Sequence, residues 1–432
     1  MDEDPQHHQT RVSDFTDSVT RKEPANTREE SGGKIPIVFR DSVPEIPKTT
    51  YGTFSIYKYP AKFIPQVVAY ALKKLGTSNA VVFDPFAGYG TVGLVARVYG
   101  FSYELWDLNP LLSLIHETAI MPLPRTSVSQ LLQEIRDSKK EFIPDWSNLE
   151  YWFPKEFIPM ISSAWGFVHS LNDVSRKVMS IPLLKTTRYF SYADEKVHKL
   201  YKSKFAKTKV SQLLAGDWES LFYQRLEAEV QTLLSKIKEY SLLNPKSVES
   251  KIVTGIDTLH TSLDHDVDIL ISSPPYLQAQ EYIRSAKLDL FWLGYDEKYV
   301  KSLSKMEIPY NAVDETEIHS ATFDRFRNMI EKDYLRLLYD RYFHAITSCF
   351  SNLGERVTKY MCIFVGPAKI RTTPIPIDEI LIEHLTKLGW KHELTYVDPI
   401  VSRVMFQSKV NPASGYEDTR MPTEHLVILR KP

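Results

Sequence analysis

The stretch AVVFDPFAGYGTVGLVARVYGFSYELWDLNP, residues 80–110, constrains the fold more than any other part of the chain. A short apolar run ends in Asp84, a turn carries Gly88 and Gly90, an apolar helix pattern follows, and a second strand pattern ends in Asp107. Strand, turn, helix and strand in that order open a parallel, doubly wound sheet. Glycines in such a turn let a backbone approach a ligand, and the helix behind them presents free N–H groups. The spacing departs from G-x-G-x-x-G, with Gly93 as a loosely placed third glycine. Asp84 argues against a phosphate, which a carboxylate repels, and for a ligand carrying an ammonium or sulfonium group.

The same alternation returns far downstream. KIVTGIDTL, VDILISSPPY, the long helix pattern around YLRLLYDRYFHAITSCF, the strand KYMCIFVGPAKI, the helix PIDEILIEHLTKLGW and strands near HELTYVDPI and EHLVILRKP continue it. Ahead of it, the spacing of Val67, Val68, Ala71, Leu72 and Leu75 predicts a helix ending at Gly76. Residues 120–245 break the rhythm and read as a helical insertion between the second and third strands, while 1–45 read as a mobile, charge-mixed tail. The expected organisation is a tail (1–45), an α/β catalytic domain in two pieces (46–119 and 246–432) and the insertion (120–245).

Bulk composition narrows the function classes. Lys and Arg number 53 against 54 Asp and Glu, so any nucleic-acid surface has to be a local patch. No apolar stretch approaches membrane-spanning length, and the N-terminus lacks a charged-then-apolar leader pattern. Cys349 and Cys362 both sit in apolar sequence, which argues against disulfides and a thiolate metal site and fits a reducing cytoplasm.

Two acids and one loop make the candidate site. Asp107 lies about 20 residues beyond the glycine turn, where an acid holds ribose hydroxyls; it also suits a cap before PLLSLI. Asp257 ends the next strand and could reach an adenine amino group or cap a turn. Ser273-Pro274-Pro275-Tyr276 follows an apolar strand. Each proline removes a donor, so the loop offers carbonyl and hydroxyl acceptors beside an aromatic face. Such a loop suits a flat ring bearing an exocyclic amino group.

With these residues in place, DPFAGYGT resembles the S-adenosylmethionine motif of the amino-methyltransferases acting on DNA, and SPPY resembles their catalytic tetrapeptide. Its Ser form is similar to that of the cytosine-N4 methyltransferases found with restriction systems. YKYPAKFIP resembles the segment that closes over the methionine end of the cofactor in this family. The resemblance implies a class I methyltransferase fold with a Rossmann-like, mostly parallel sheet. It implies S-adenosyl-L-methionine held by Tyr59, Pro60 and Lys62, by Asp84, Pro85, Phe86, Ala87, Gly88, Gly90 and Thr91, and by Asp107, Asn109 and Asp257. It also implies catalysis by Ser273, Pro274, Pro275 and Tyr276 on double-stranded DNA, with no metal. A cognate restriction endonuclease acting on the same sequence is the possible partner. Adenine-N6 methylation, RNA methylation and a non-catalytic scaffold with the same fold are the competing readings. Neither cysteine follows a proline in a loop, which argues against attack on cytosine carbon 5.

The insertion carries the local basic patch. From SRKVMSIPLLKTTRYF to HKLYKSKFAKTK, cations outnumber acids and aromatics lie between them. This asymmetry predicts a phosphate-tracking surface, with Arg176, Lys177 and Arg188 as named candidates. A solvated helix face with core aromatics is the alternative.

Overall fold

The computed structural model describes residues 33–60, 62–124, 127–196, 199–277, 281–366, 368–371, 373–400 and 423–432. Its principal elements begin with β1 (Lys34–Pro36), α1 (Pro65–Leu75), β2 (Val81–Asp84), α2 (Thr91–Tyr99), β3 (Ser102–Asp107) and α3 (Leu111–Ile120). The insertion follows as α4 (Val128–Asp137), α5 (Ile158–His169), α6 (Asp173–Tyr189), α7 (Lys204–Leu214) and α8 (Trp218–Ser241). The chain then returns to the sheet through β4 (Ser250–Thr254), β5 (Val267–Ser272), α9 (Tyr282–Trp292), α10 (Glu297–Met306) and α11 (Asp333–Gly354). It closes with β6 (Val357–Val365), α12 (Ile377–Lys387), β7 (Lys391–Pro399) and β8 (Thr423–Arg430).

Eight strands form one sheet in the order β1-β7-β8-β6-β5-β2-β3-β4. Every neighbouring pair is parallel except those of β8, which runs antiparallel to both β6 and β7. This is the class I, Rossmann-like methyltransferase architecture. Central β5 is buried nearly throughout, as a strand covered on both faces must be. Its side chains alternate between two cores: Ile269 and Ile271 join one, Leu270 the other. From β2 the chain winds outward to β3 and β4, then crosses back to β5 on the other side of β2. The order therefore reverses between β2 and β5, and a crevice opens outside their carboxyl ends.

One expectation about boundaries needs correcting. Residues 33–45 read as tail in the sequence, yet β1 pairs with β7 and Phe39 is fully buried, edge-on to Tyr70 and Tyr396. The reason is the short apolar run IPIVF, whose partner strand lies some 360 residues away in the chain. Residues 1–32 lie outside the described residues. The described elements of the insertion are helices, and among the described residues they form no core of their own. Phe153, Trp165, Phe190 and Phe222 join the same buried cluster as β2 and β5, and Trp165 stacks on Trp292 of α9 at 6.2 Å. Tyr240 of α8 donates its hydroxyl to the Leu94 carbonyl at 2.8 Å, so the insertion braces α2 directly.

Candidate active site

The crevice at the strand reversal is a cleft enclosing about 830 Å³, its open mouth included. Its floor comes from the first turn. Gly88 (φ +52°) and Gly90 (φ +82°) both sit in the left-handed region, where any other residue is strained. A Cβ on Gly88 would meet the Tyr59 ring at 3.0 Å. Gly93, the third glycine, packs α2 against β3, where a Cβ would meet Tyr103 at 2.6 Å. Its role is close helix-to-strand approach. Phe86, Ala87 and Gly88 line the cleft from this turn.

Asp107 and Asp257 line the cleft too, and each also serves its own loop. Asp107 accepts hydrogen bonds from the Gly88 N–H and the Asn109 N–H, both at 2.7 Å. Burial pushes its carboxyl up to about 6 despite those bonds. Asp257 accepts from the Leu259 N–H at 3.1 Å and pairs with His260 at 2.8 Å. Capping and ligand holding are thus compatible at both acids. Asn109 is buried at the cleft wall with its side chain against the Tyr59 hydroxyl, and its Nδ2 makes no close hydrogen bond to a described residue. A donor so weakly engaged favours a ligand carrying an acceptor.

Asp84 departs from expectation. It does not line the cleft; it lies beneath, accepting from Ser272 Oγ at 2.6 Å and from the Phe86 N–H at 3.1 Å. Burial raises its pKa to about 7. Its visible work is tying β2 to β5 below the crevice. Pro85 offers its carbonyl to Thr258 Oγ1 at 2.9 Å, and Gly90 and Thr91 open α2 behind the floor. Among the residues taken from YKYPAKFIP, Tyr59 lines the cleft, whereas Pro60 lines a neighbouring cavity. Lys62 turns away. Its ammonium is held by the Thr49 and Phe54 carbonyls and sits over the Tyr89 ring, and burial lowers its pKa to about 8.

The tetrapeptide leaves β5 at the cleft edge. Ser273 and Pro275 line it. The Pro275 carbonyl accepts from the Tyr342 hydroxyl at 2.9 Å, which engages one of its two lone pairs. The Ser273 hydroxyl and Pro274 carbonyl have no hydrogen bond to a described residue. Tyr276 stands outside the lining, its hydroxyl donating to Glu424 Oε1 at 3.2 Å. The aromatic side chains lining the cleft are Tyr59, Phe63, Phe86 and Tyr282, with Tyr282 stacked on Tyr59 at 6.3 Å between centroids.

Five lining residues carry no motif in the sequence, Tyr282, Ile283, Met306, Glu307 and Ile308, and two of them are polar. Tyr282 follows the loop at the first turn of α9, and Glu307 sits in KMEIP just past α10. An acid flanked by Met, Ile and Pro was the available signal for the second. No Lys, Arg or His lines the cleft among the described residues, while Asp107, Asp257 and Glu307 do. Such a wall repels phosphates and suits a cation.

The basic candidates of the insertion are mostly engaged internally. Lys177 pairs with Glu117 at 2.8 Å and Asp173 at 2.7 Å. Arg188 lies 3.8 Å from buried Asp289 and donates to the Ser285 carbonyl at 3.1 Å; Tyr57 donates to the same Asp289 carboxylate at 2.5 Å. Arg176 is exposed but donates back to the Leu171 carbonyl at 2.9 Å. The exposed cations lie later, at Lys196, Lys199, Lys204 and Lys207. Among the described residues no group of His, Cys, Asp and Glu is arranged to hold a metal, and no helix is long and apolar enough to cross a membrane.

No protein-family model matches the chain. Among curated proteins it is similar to the Type II methyltransferase M.BsoBI of Geobacillus stearothermophilus, 23% identical over 280 residues covering 58% of this chain and 54% of that one. It is also similar to the Type II methyltransferase M.MjaII of Methanocaldococcus jannaschii, 29% identical over 96 residues covering 22% and 18%. The chain thus spans about half the length of the first of these relatives and less of the second. Among solved structures, the rRNA methyltransferase aviRa from Streptomyces viridochromogenes aligns over 87% of this chain and 88% of its own at 9% identity. The TM-score is 0.27, too loose a superposition to bear on fold or substrate. The likeness that carries weight is to the Type II methyltransferases.

Proposed function

We propose that this protein is a site-specific DNA methyltransferase that modifies the N4 amino group of cytosine, the modification enzyme of a restriction-modification system. The observation that carries it is Ser273, which lines a cleft holding Asp107, Asp257 and Glu307 but no Lys, Arg or His among the described residues, and whose hydroxyl is unengaged by any of them. The likeness to Type II methyltransferases supports the same class. A restriction endonuclease acting on the same sequence is the partner this reading implies.

The cleft fits S-adenosylmethionine by the chemistry of its donor set. Asp107 would hold the ribose hydroxyls, Asp257 the adenine amino group, and Asn109 Nδ2 a ligand acceptor, while Tyr59, Gly88 and Phe86 shape the walls. When bound, the cofactor supplies an electrophilic methyl group on a sulfonium. The protein's own contribution is to the nucleophile. The N4 lone pair is delocalised into the ring, so the amino group attacks poorly. Ser273 Oγ and the Pro274 carbonyl accept its two N–H bonds and favour a more tetrahedral nitrogen. A neutral hydroxyl does this without placing a formal charge beside the base. Fixed prolines hold the acceptors still, so little reorganisation is needed as the nitrogen rehybridises. Tyr276, bonded to Glu424, anchors the loop, and Tyr282 offers the face on which a flipped base stacks.

Product analysis tests the reading. The protein is incubated with labelled S-adenosylmethionine and, separately, duplex DNA and tRNA, and the polymer is digested to nucleosides for mass spectrometry. N4-methylcytosine from DNA is the expected product. N6-methyladenine would keep the class and refute the base; 5-methylcytosine would contradict the mechanism; label in tRNA alone would move the substrate. Ser273→Ala should lower turnover roughly 30-fold, about 2 kcal/mol for one hydrogen bond felt mainly in the transition state. Cofactor affinity should stay unchanged.

A further inference from the structure

Beside the cleft lies an outer groove walled by Trp152 and Leu200 of the insertion and by Arg284, Lys287 and Tyr310 on the catalytic side. One residue lines both cavities: Glu307. A base arriving from the insertion side therefore passes this carboxyl on its way to Ser273. The side chain is held in place, because Oε1 accepts from the Ile283 N–H at 2.9 Å in the first turn of α9. Glu307 is only 7% exposed and forms no ion pair with any described cation.

A flipped cytosine presents three polar groups along its pairing edge: the amino donor, the N3 acceptor and the O2 acceptor. The Ser273 and Pro274 acceptors satisfy only the first. Leaving N3 buried and unpaired would cost about 1–3 kcal/mol, so the site needs a donor there. We propose that Glu307, in its neutral form, donates a hydrogen bond to N3 of the flipped cytosine and thereby reads the base. This rests on the cytosine reading of the site given above.

The surroundings favour the neutral acid. Burial pushes the carboxyl up to about 7, and the like charges of Glu281 and Asp107 push the same way. The N–H groups of Tyr282 and Ile283 oppose them. Glu281 is itself held by Lys199 and Arg284, so its charge is largely balanced. The phenols of Tyr282 and Tyr310 complete the groups facing Glu307; both titrate above their ordinary range. An ionised carboxylate would repel the N3 and O2 lone pairs, so base capture should weaken as pH rises through about 7.

The test compares the wild type, Glu307→Gln and Glu307→Ala on a duplex of the mapped target sequence. The target is either cytosine or 3-deazacytosine, in which N3 is replaced by C–H. The wild type should lose on the order of tenfold or more in kcat/KM on the deaza base. Glu307→Ala should lose as much on cytosine and no longer distinguish the two bases. Glu307→Gln keeps an acceptor for Ile283 and a neutral donor for N3, so it should retain discrimination but lose the fall in kcat/KM near pH 7. Asp107 cannot mimic that change, because it is intact in the variant. Unaltered discrimination in Glu307→Ala, or an unaltered alkaline fall in Glu307→Gln, overturns the proposal. So does a tenfold loss of S-adenosylmethionine affinity in Glu307→Gln by calorimetry, which would make Glu307 a cofactor ligand. If Glu307→Ala fails to fold, the pH profile of Glu307→Gln still decides. A wild type that methylates no cytosine sinks the underlying reading as well; an active wild type with an indifferent Glu307 sinks this inference alone.

Discussion

The strand ends and the insertion handle charge in opposite ways. Around the crevice Asp107 and Glu307 keep carboxyls without cationic partners among the described residues, held by backbone N–H groups. In α6 of the insertion, cations have internal partners: Lys177 with two acids, Arg188 with Asp289 and the Ser285 carbonyl. A carboxyl without a cation marks where a ligand can gain something; paired charge marks where the fold already has. Net charge over a segment cannot tell the two apart, because the partner often comes from a distant part of the chain.

The largest effect should come from breaking a paired charge. Arg188→Ala leaves the buried Asp289 carboxylate with only the Tyr57 hydroxyl as partner among the described residues. Losing one side of a buried ion pair should cost about 3 kcal/mol, discounted slightly because the guanidinium is partly exposed. Chemical denaturation measures it. Asp289→Asn in the same background should recover part of the loss. A silent Arg188→Ala would mean that this cation is free after all, and would return it to the DNA-contact candidates.

Next comes an unpaired acid. Asp107→Ala should weaken S-adenosylmethionine binding by about 2–3 kcal/mol, roughly 30- to 150-fold. It removes the expected ribose hydrogen bonds and also strands the Gly88 and Asn109 N–H groups that shape the floor. Asp107→Asn keeps acceptor capacity and should fall between Ala and wild type. Calorimetry showing equal affinity in all three would take Asp107 out of the binding site and leave it a loop cap.

What the sequence makes legible follows from range. Asp84, Gly88, Gly90 and Asp107 lie within 24 residues, and strand-turn-helix chemistry is local, so the first half of the sheet and its turn can be read directly. SPPY is readable because the apolar run before it ends abruptly. Interactions between distant segments are not. Asp84 bonds Ser272 across 188 positions, which is why a residue expected to face the ligand is an internal tie. Lys62 draws attention by its place in a motif, but burial against Tyr89 and the Phe54 carbonyl redirects it. Glu307 has no motif around it and gains its meaning only when α9 and α10 bring it into the cleft that Ser273 also lines.

The smallest effect per residue, and the sharpest test of the comparison, concerns the lysines that follow α6. Lys196, Lys202, Lys204 and Lys207 form no salt bridge among the described residues. Lys196 lies over the Phe205 ring and Lys202 over Tyr151 and Tyr192, so these cations sit on aromatic faces, not carboxylates. A phosphate can meet them without displacing an ion pair. Lys199 bonds Glu281 at the start of α9, which places the patch beside the groove leading to the cleft. Changing all four of these lysines to Gln should lower the slope of log affinity against log salt by about 0.9 for each phosphate left without its cation. Turnover at saturating DNA should hold. Lys177→Gln should leave the slope unchanged, since Glu117 and Asp173 already neutralise that cation. A flatter slope from Lys177→Gln, with none from the four lysines, would reverse the assignment and put the DNA on the face of α6.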